Sequence, residues 1–137
     1  MKIVYISDFF VSDLMGGGEL NDHELCLLLK EKCEVEKIRS FELNPTNFKN
    51  YFGKKYFFII SNFTLLSSNT IDMLKKEEYV IYEHDHKYIK QRNPAIFKNY
   101  EVPDNEIVHR EFYKKAKAVL CQSKFHLSIL KKNLKIS

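Results

Sequence analysis

Several features are scarce in this 137-residue chain, and each shortage narrows the reading. The three cysteines, Cys26, Cys33 and Cys121, are odd in number and form no Cys-x-x-Cys pair, so neither a disulfide framework nor a recognisable metal-ligand spacing is present. Cys26 and Cys121 lie in apolar stretches and read as buried thiols in a reducing compartment, which makes the cytoplasm the expected location. No apolar run approaches the ~20 residues of a membrane span. The opening Ile3-Val4-Tyr5-Ile6 is too short for a signal peptide and soon meets Asp8. Internal repeats and low-complexity segments are missing. Acid is scarce toward the end: Glu111 alone opposes Arg110, Lys114, Lys115, Lys117, Lys124, Lys131, Lys132 and Lys135. The net charge of +4 is too small to imply nucleic acid, so no such partner is expected. A one-sided basic end can instead face phosphate, an acidic partner or an anionic membrane surface by peripheral contact, or be a solvated helix face.

The length suits one domain, and an apolar fraction of 45% with 29% charged residues is ordinary globular composition. Apolar runs predict strands over 2–7, 35–39, 56–61, 79–83 and 117–121. Between them, helical spacing predicts helices from Glu19 to about Lys32, from Asn69 to Lys76 with Ser68 as cap, over 105–115, and from Ser123 to Leu134 with Ser123 as cap. A short helix fits the connection around Pro45. The strands are apolar without alternation, as when both sheet faces are covered. The fold class expected is α/β: one open, mostly parallel sheet with helices on both faces, spanning 1–137 as a single domain.

Three segments follow strand ends, where ligands bind in such sheets. The first is Gly16-Gly17-Gly18-Glu19, before the first helix. Successive glycines let backbone amides approach a phosphate, and the helix start adds partial positive charge. The spacing is neither Gly-x-Gly-x-x-Gly nor a Walker A loop, which disfavours a dinucleotide or P-loop ATPase site; a plain flexible turn is the alternative. The second is Glu83-His84-Asp85-His86-Lys87-Tyr88. His84 is a candidate proton shuttle, with Asp85 to orient it. Metal ligation by His84 and His86 lacks further ligands at recognisable spacing, and a polar surface loop is the remaining reading. The third is Cys121-Gln122-Ser123-Lys124, where Ser123 and Lys124 make either an anion site or a simple helix cap. Cys121 is not expected to be a nucleophile, because burial raises a thiol's pKa. Arg92, in the loop that follows, can clamp a carboxylate or phosphate.

The opening Lys-Ile-Val-Tyr-Ile-Ser-Asp with Gly-Gly-Gly-Glu, the strand Val-Ile-Tyr-Glu-His-Asp, and the stretch from Phe112 to Phe125 fall in one order. That order resembles the N-terminal, Rossmann-like half of GT-B glycosyltransferases of the retaining, glycogen-synthase-like (family 4-type) group. The resemblance implies transfer of a sugar from a nucleotide-sugar donor to a sugar or lipid-linked acceptor, with no cofactor and no metal. It puts Gly16, Gly17 and Gly18 near the donor phosphates, His84 near the transferred sugar and acceptor, and Ser123 and Lys124 on the same cleft; Glu19 and Arg92 are further candidate binding residues, and Asp85 a candidate catalytic partner of His84, on the reading of the residues alone. It also implies a C-terminal donor-gripping domain that these residues do not include, so the chain alone is expected to be inactive. The alternative is a stand-alone, non-catalytic Rossmann-like module for a nucleotide or phosphorylated ligand.

Overall fold

A computed structural model describes residues 2–51 and 55–136. Five strands form one sheet: β1 (Lys2–Ser7), β2 (Glu34–Arg39), β3 (Tyr56–Ile60), β4 (Tyr79–Tyr82) and β5 (Val119–Leu120). Their order is β2-β1-β3-β4-β5 and every pairing is parallel. Helices α1 (Gly17–Lys30), α2 (Pro45–Phe48), α3 (Ser68–Leu74), α4 (Arg110–Lys115) and α5 (Lys124–Leu134) lie between and after the strands. This is the open Rossmann-like α/β sheet anticipated from the alternation of apolar runs and helical periods.

The period of two along each strand sorts side chains between the faces. Val4, Ile6, Phe58, Ile60, Tyr79 and Ile81 enter the larger core, where α2 to α5 contribute Phe48, Ile71, Leu74, Phe112, Tyr113, Leu130 and Leu134. Ile3, Tyr5 and Ile59 enter the other, where α1 contributes Cys26. The outer strand β2, Glu-Val-Glu-Lys-Ile-Arg, carries charges that blunt its free edge.

Local chemistry sets the helix ends. Asn44 and Asn47 form a reciprocal capping box around α2, with Pro45 at its first position. Ser123 accepts the His126 amide at 3.0 Å to open α5, the cap read from sequence. For α3 the cap is Ser67, one residue earlier than expected, accepting from the Thr70 amide. The helix expected over 105–115 is only its second half. Backbone at 106–108 pairs instead with Tyr88 and Lys90 (Val108 N to Tyr88 O, 2.8 Å; Lys90 N to Glu106 O, 3.0 Å), and His109 at φ 59° turns the chain into α4. Strand β5 is shorter than 117–121, although Lys117 still donates to Tyr79 O at 2.8 Å.

The central strand carries the larger core. Phe58 is 1% exposed and stacks on Phe48 with centroids 5.7 Å apart. Phe58→Ala should lower unfolding free energy by about 3–5 kcal/mol in urea titrations, through lost burial and a residual cavity. A loss below about 1 kcal/mol would place Phe58 outside the core.

Candidate functional site at the carboxyl ends of the strands

The strand order reverses between β1 and β3, and open α/β sheets bind ligands at the carboxyl ends beside such a switch. The residues there are polar where the rest of the sheet is apolar. Ser7 ends β1, Ser61 follows β3, Glu83 follows β4 and Gln122 follows β5. Ser7 is fully buried, and its hydroxyl makes no hydrogen bond among the described residues.

Asp22 of α1 is the centre of this cluster. It is fully buried. Its Oδ1 accepts from the Tyr5 hydroxyl and lies 3.1 Å from His84 Nε2; its Oδ2 accepts from Ser61 Oγ at 2.9 Å. Burial, with the Asp22 carboxylate next, raises the Tyr5 phenol far above its ordinary range, so it stays a donor. One carboxylate thus ties α1 to β1, to the end of β3 and to the end of β4. The sequence reading missed it. The available signal was a lone acid at the i+3 and i−4 positions from Glu19 and Cys26, on the helix face that enters the core.

The glycine loop reaches the same place. A Cβ on Gly18 would lie 3.4 Å from the His84 ring and from Asn62 Nδ2, whereas one on Gly17 would meet nothing within 4 Å. Gly18 thus lets the first turn of α1 come against His84, and Gly17 faces open space. Gly16 is the N-cap and offers no side-chain cap. Glu19 is buried, its carboxylate folded back toward Gly16, where a built Cβ would meet Oε1 at 2.9 Å. An acid there suits the positive end of the helix.

From the other side, Gln122 Nε2 stands 2.9 Å from His84 Nδ1 and 3.2 Å from the Glu83 carbonyl, and its Oε1 accepts from Asn21 at 3.2 Å. Gly18, His84 and the Gln122-Ser123 turn therefore converge, as their places after parallel strands imply. Lys124 is exposed at the start of α5. Asp85 does not orient the His84 ring. Its carboxylate binds Lys87 at 3.1 Å and Arg92 Nε at 2.8 Å, and the orienting acid is Asp22. Burial raises the Asp85 pKa, but Lys87 and Arg92 outweigh it and hold the carboxyl below its ordinary value. Arg92 is thereby spoken for by Asp85, on backbone held at φ 58°.

Behind His84 lies a second buried network. Glu83, fully buried, pairs with Lys87 and accepts from the Tyr113 hydroxyl. Burial raises the Glu83 carboxyl against the pull of Lys87. His126 Nε2 donates to the Asp85 carbonyl at 2.7 Å, and its ring lies 4.4 Å from that of His86. Beside this network, Phe63, Thr64, Lys87, Lys90, Arg92 and His109 line a cavity of about 240 Å³. Among the described residues no three His, Cys, Asp or Glu side chains are grouped to hold a metal ion. Burial pushes the Cys121 thiol up to about 11, which keeps it protonated and unreactive.

Two outcomes follow from this arrangement. Asp22→Ala strands buried donors on Tyr5, Ser61 and His84, and should cost about 3–5 kcal/mol in denaturant titrations; Asp22→Asn, which keeps an acceptor, should cost less. Equal losses would mean that one acceptor is not enough and the carboxylate itself is required, and losses below about 1 kcal/mol for both would mean that the network contributes little. The second concerns pH. Burial, followed by the neighbouring His126, pushes His86 from 6.5 down to about 4. The unfolded chain then binds this proton first, so His86 should make stability fall as pH drops below 6.5. In the interval down to about 5, above the carboxylate range, His109, also lowered by burial, adds to the same slope, so His86 accounts for part of it. His86→Gln should flatten the urea midpoint there; an unchanged slope would assign it to other groups.

No family model, curated protein or solved structure matches this chain.

Proposed function

We propose that the chain is the N-terminal, acceptor-side half of a GT-B glycosyltransferase, moving a sugar from a nucleotide-sugar donor to a sugar or lipid-linked acceptor. The observation that carries this reading is the meeting of Gly18, His84 and the Gln122-Ser123 turn beside the β1/β3 switch. The amides of α1's first turn precede its first intrahelical bond, Leu20 N to Gly16 O, and are suited to a phosphate oxygen. The open space over Gly17 suits the same approach. The neighbouring imidazole is suited to a sugar hydroxyl. Donor grip by a second domain, joined to this one, completes the proposal.

A non-catalytic module for a nucleotide or phosphorylated ligand is the second reading. It is favoured by the closed state of His84, both of whose ring nitrogens already have partners.

Among the described residues no helix is long and apolar enough to cross a membrane. The proposal includes a cytoplasmic location with peripheral contact to an anionic membrane surface. That contact is supported at the opposite, amino end of the sheet, where Lys114, Lys117, Lys131 and Lys135 line a groove of about 360 Å³.

The deciding assay uses the full-length product of the reading frame that encodes this chain, offered a panel of nucleotide-sugars. His84→Ala should lower kcat by ~10²–10⁴-fold, the usual worth of a positioned proton-handling group. Unchanged turnover with a lowered Tm would reject a catalytic His84. No sugar release from any donor would favour the binding module.

A further inference from the structure

Which proton His84 carries decides what it can hold, and the surrounding groups fix that proton. A backbone carbonyl only accepts, so the Gln122 atom 3.2 Å from Glu83 O is the amide nitrogen. Asn21 Nδ2 donating to Gln122 Oε1 agrees with this orientation. The same nitrogen stands 2.9 Å from His84 Nδ1. Its second hydrogen points to the ring, so Nδ1 presents a lone pair. The ring proton sits on Nε2, which faces the Asp22 carboxylate at 3.1 Å. Tyr5 and Ser61 hold that carboxylate in turn, so it cannot follow the ring if the ring rotates.

Burial separates the two sides of the ring. Asp22 is fully buried and the His84 side chain is 8% exposed, whereas Gln122 is exposed. The Nε2 side is therefore a fixed anchor, and the Nδ1 side is covered by a surface amide that can swing away into water. Gln122 would leave behind an exposed hydrogen bond to Asn21, replaceable by solvent, and a part-buried one to the Glu83 carbonyl, which the entering hydroxyl or a water must take over.

We propose that Gln122 is a displaceable gate standing where a substrate hydroxyl binds, and that Asp22 is the positioning residue that keeps His84 Nδ1 a hydrogen-bond acceptor. The consequence is a rule of recognition. A lone pair at Nδ1 accepts a hydroxyl or an N–H and repels a phosphate oxygen. Within this site the anion belongs to the amides of α1 and the hydroxyl to His84. Gln122 itself imitates the hydroxyl, since its N–H occupies the same acceptor. The gate and the tautomer rest on the hydrogen-bond geometry alone; the sugar hydroxyl rests on the glycosyl-transfer reading.

The test is ring-nitrogen NMR of the 137-residue chain labelled with ¹⁵N-histidine. His84 should show an unprotonated Nδ1 and a protonated Nε2. Gln122→Ala should keep that tautomer and leave Nδ1 open. Titrated with a panel of monosaccharides, acetamide and inorganic sulfate (an oxyanion without a hydroxyl at neutral pH), the variant's Nδ1 resonance should move with sugars and with acetamide, and not with sulfate. Its apparent affinity for sugar should exceed the wild-type value roughly fivefold, the worth of one competing hydrogen bond. Gln122→Glu places an acceptor at the gate and should draw a proton onto Nδ1. A wild-type ring protonated at Nδ1 overturns the gate without touching the glycosyl-transfer reading. A sulfate response as large as the sugar response overturns the recognition rule. A response to acetamide with none to any sugar leaves the gate standing and removes the sugar from the proposal.

Discussion

A buried carboxylate is the constraint around which this domain is arranged. Leaving Asp22 ionised and alone in the interior would cost far more than the marginal stability of a domain this size. Hydrogen-bond partners on Tyr5, Ser61 and His84 offset that cost. Each comes from a different segment, so satisfying one acid fixes α1 against two strands and the loop after a third. The apolar contacts on that face, through Cys26, Ile3 and Ile59, are non-directional. They hold α1 on the sheet, and the Asp22 bonds set where along it the helix stops. The approach of Gly18 to the His84 ring is a result of that setting.

The second polar network gives the loop after β4 its shape. Glu83 and Asp85 both turn to Lys87, with Glu83 also bonded to Tyr113 and Asp85 to Arg92. His84 lies between them and faces α1. Successive side chains of one run thus serve different partners, an alternation inherited from the strand that precedes it. The carboxyl edge of the sheet is consequently a polar, internally bonded surface built on an apolar slab. On the proposed function, a ligand at that surface would replace existing hydrogen bonds.

The layout of the sheet was legible in the sequence because it rests on local signals. The Tyr-Phe-Phe-Ile-Ile run of β3 and the spacing of α1 need no knowledge of distant partners. The caps at Ser123 and Asn44 are equally local. The break before α4 was not legible, because backbone at 106–108 pairs with Tyr88 and Lys90, some eighteen residues back in the chain. The same limit hid Asp22. Its partners are 17, 39 and 62 residues away, and only the folded sheet brings them together. Adjacency in sequence assigns Asp85 to His84, yet neighbouring side chains leaving a strand point apart. Glycines followed by a helix, and a His after a strand, do share one edge, since parallel strands put all their carboxyl ends on one side.

The opposite, amino edge has a different character: Lys114, Lys117, Lys131 and Lys135 surround a groove there, with Lys117 paired to Glu78 and Lys135 to Asp104. The proposed function places ligand recognition at the carboxyl edge, around the switch between β1 and β3. Backbone amide shift mapping of this chain against UDP-, GDP- and ADP-sugars, a method that detects weak association, addresses it most directly. Shifts confined to Gly17, Gly18, Asn62, His84, Gln122 and Ser123 are the expected result. Shifts gathered on Lys117, Lys131 and Lys135, with the glycine loop and His84 silent, would contradict it.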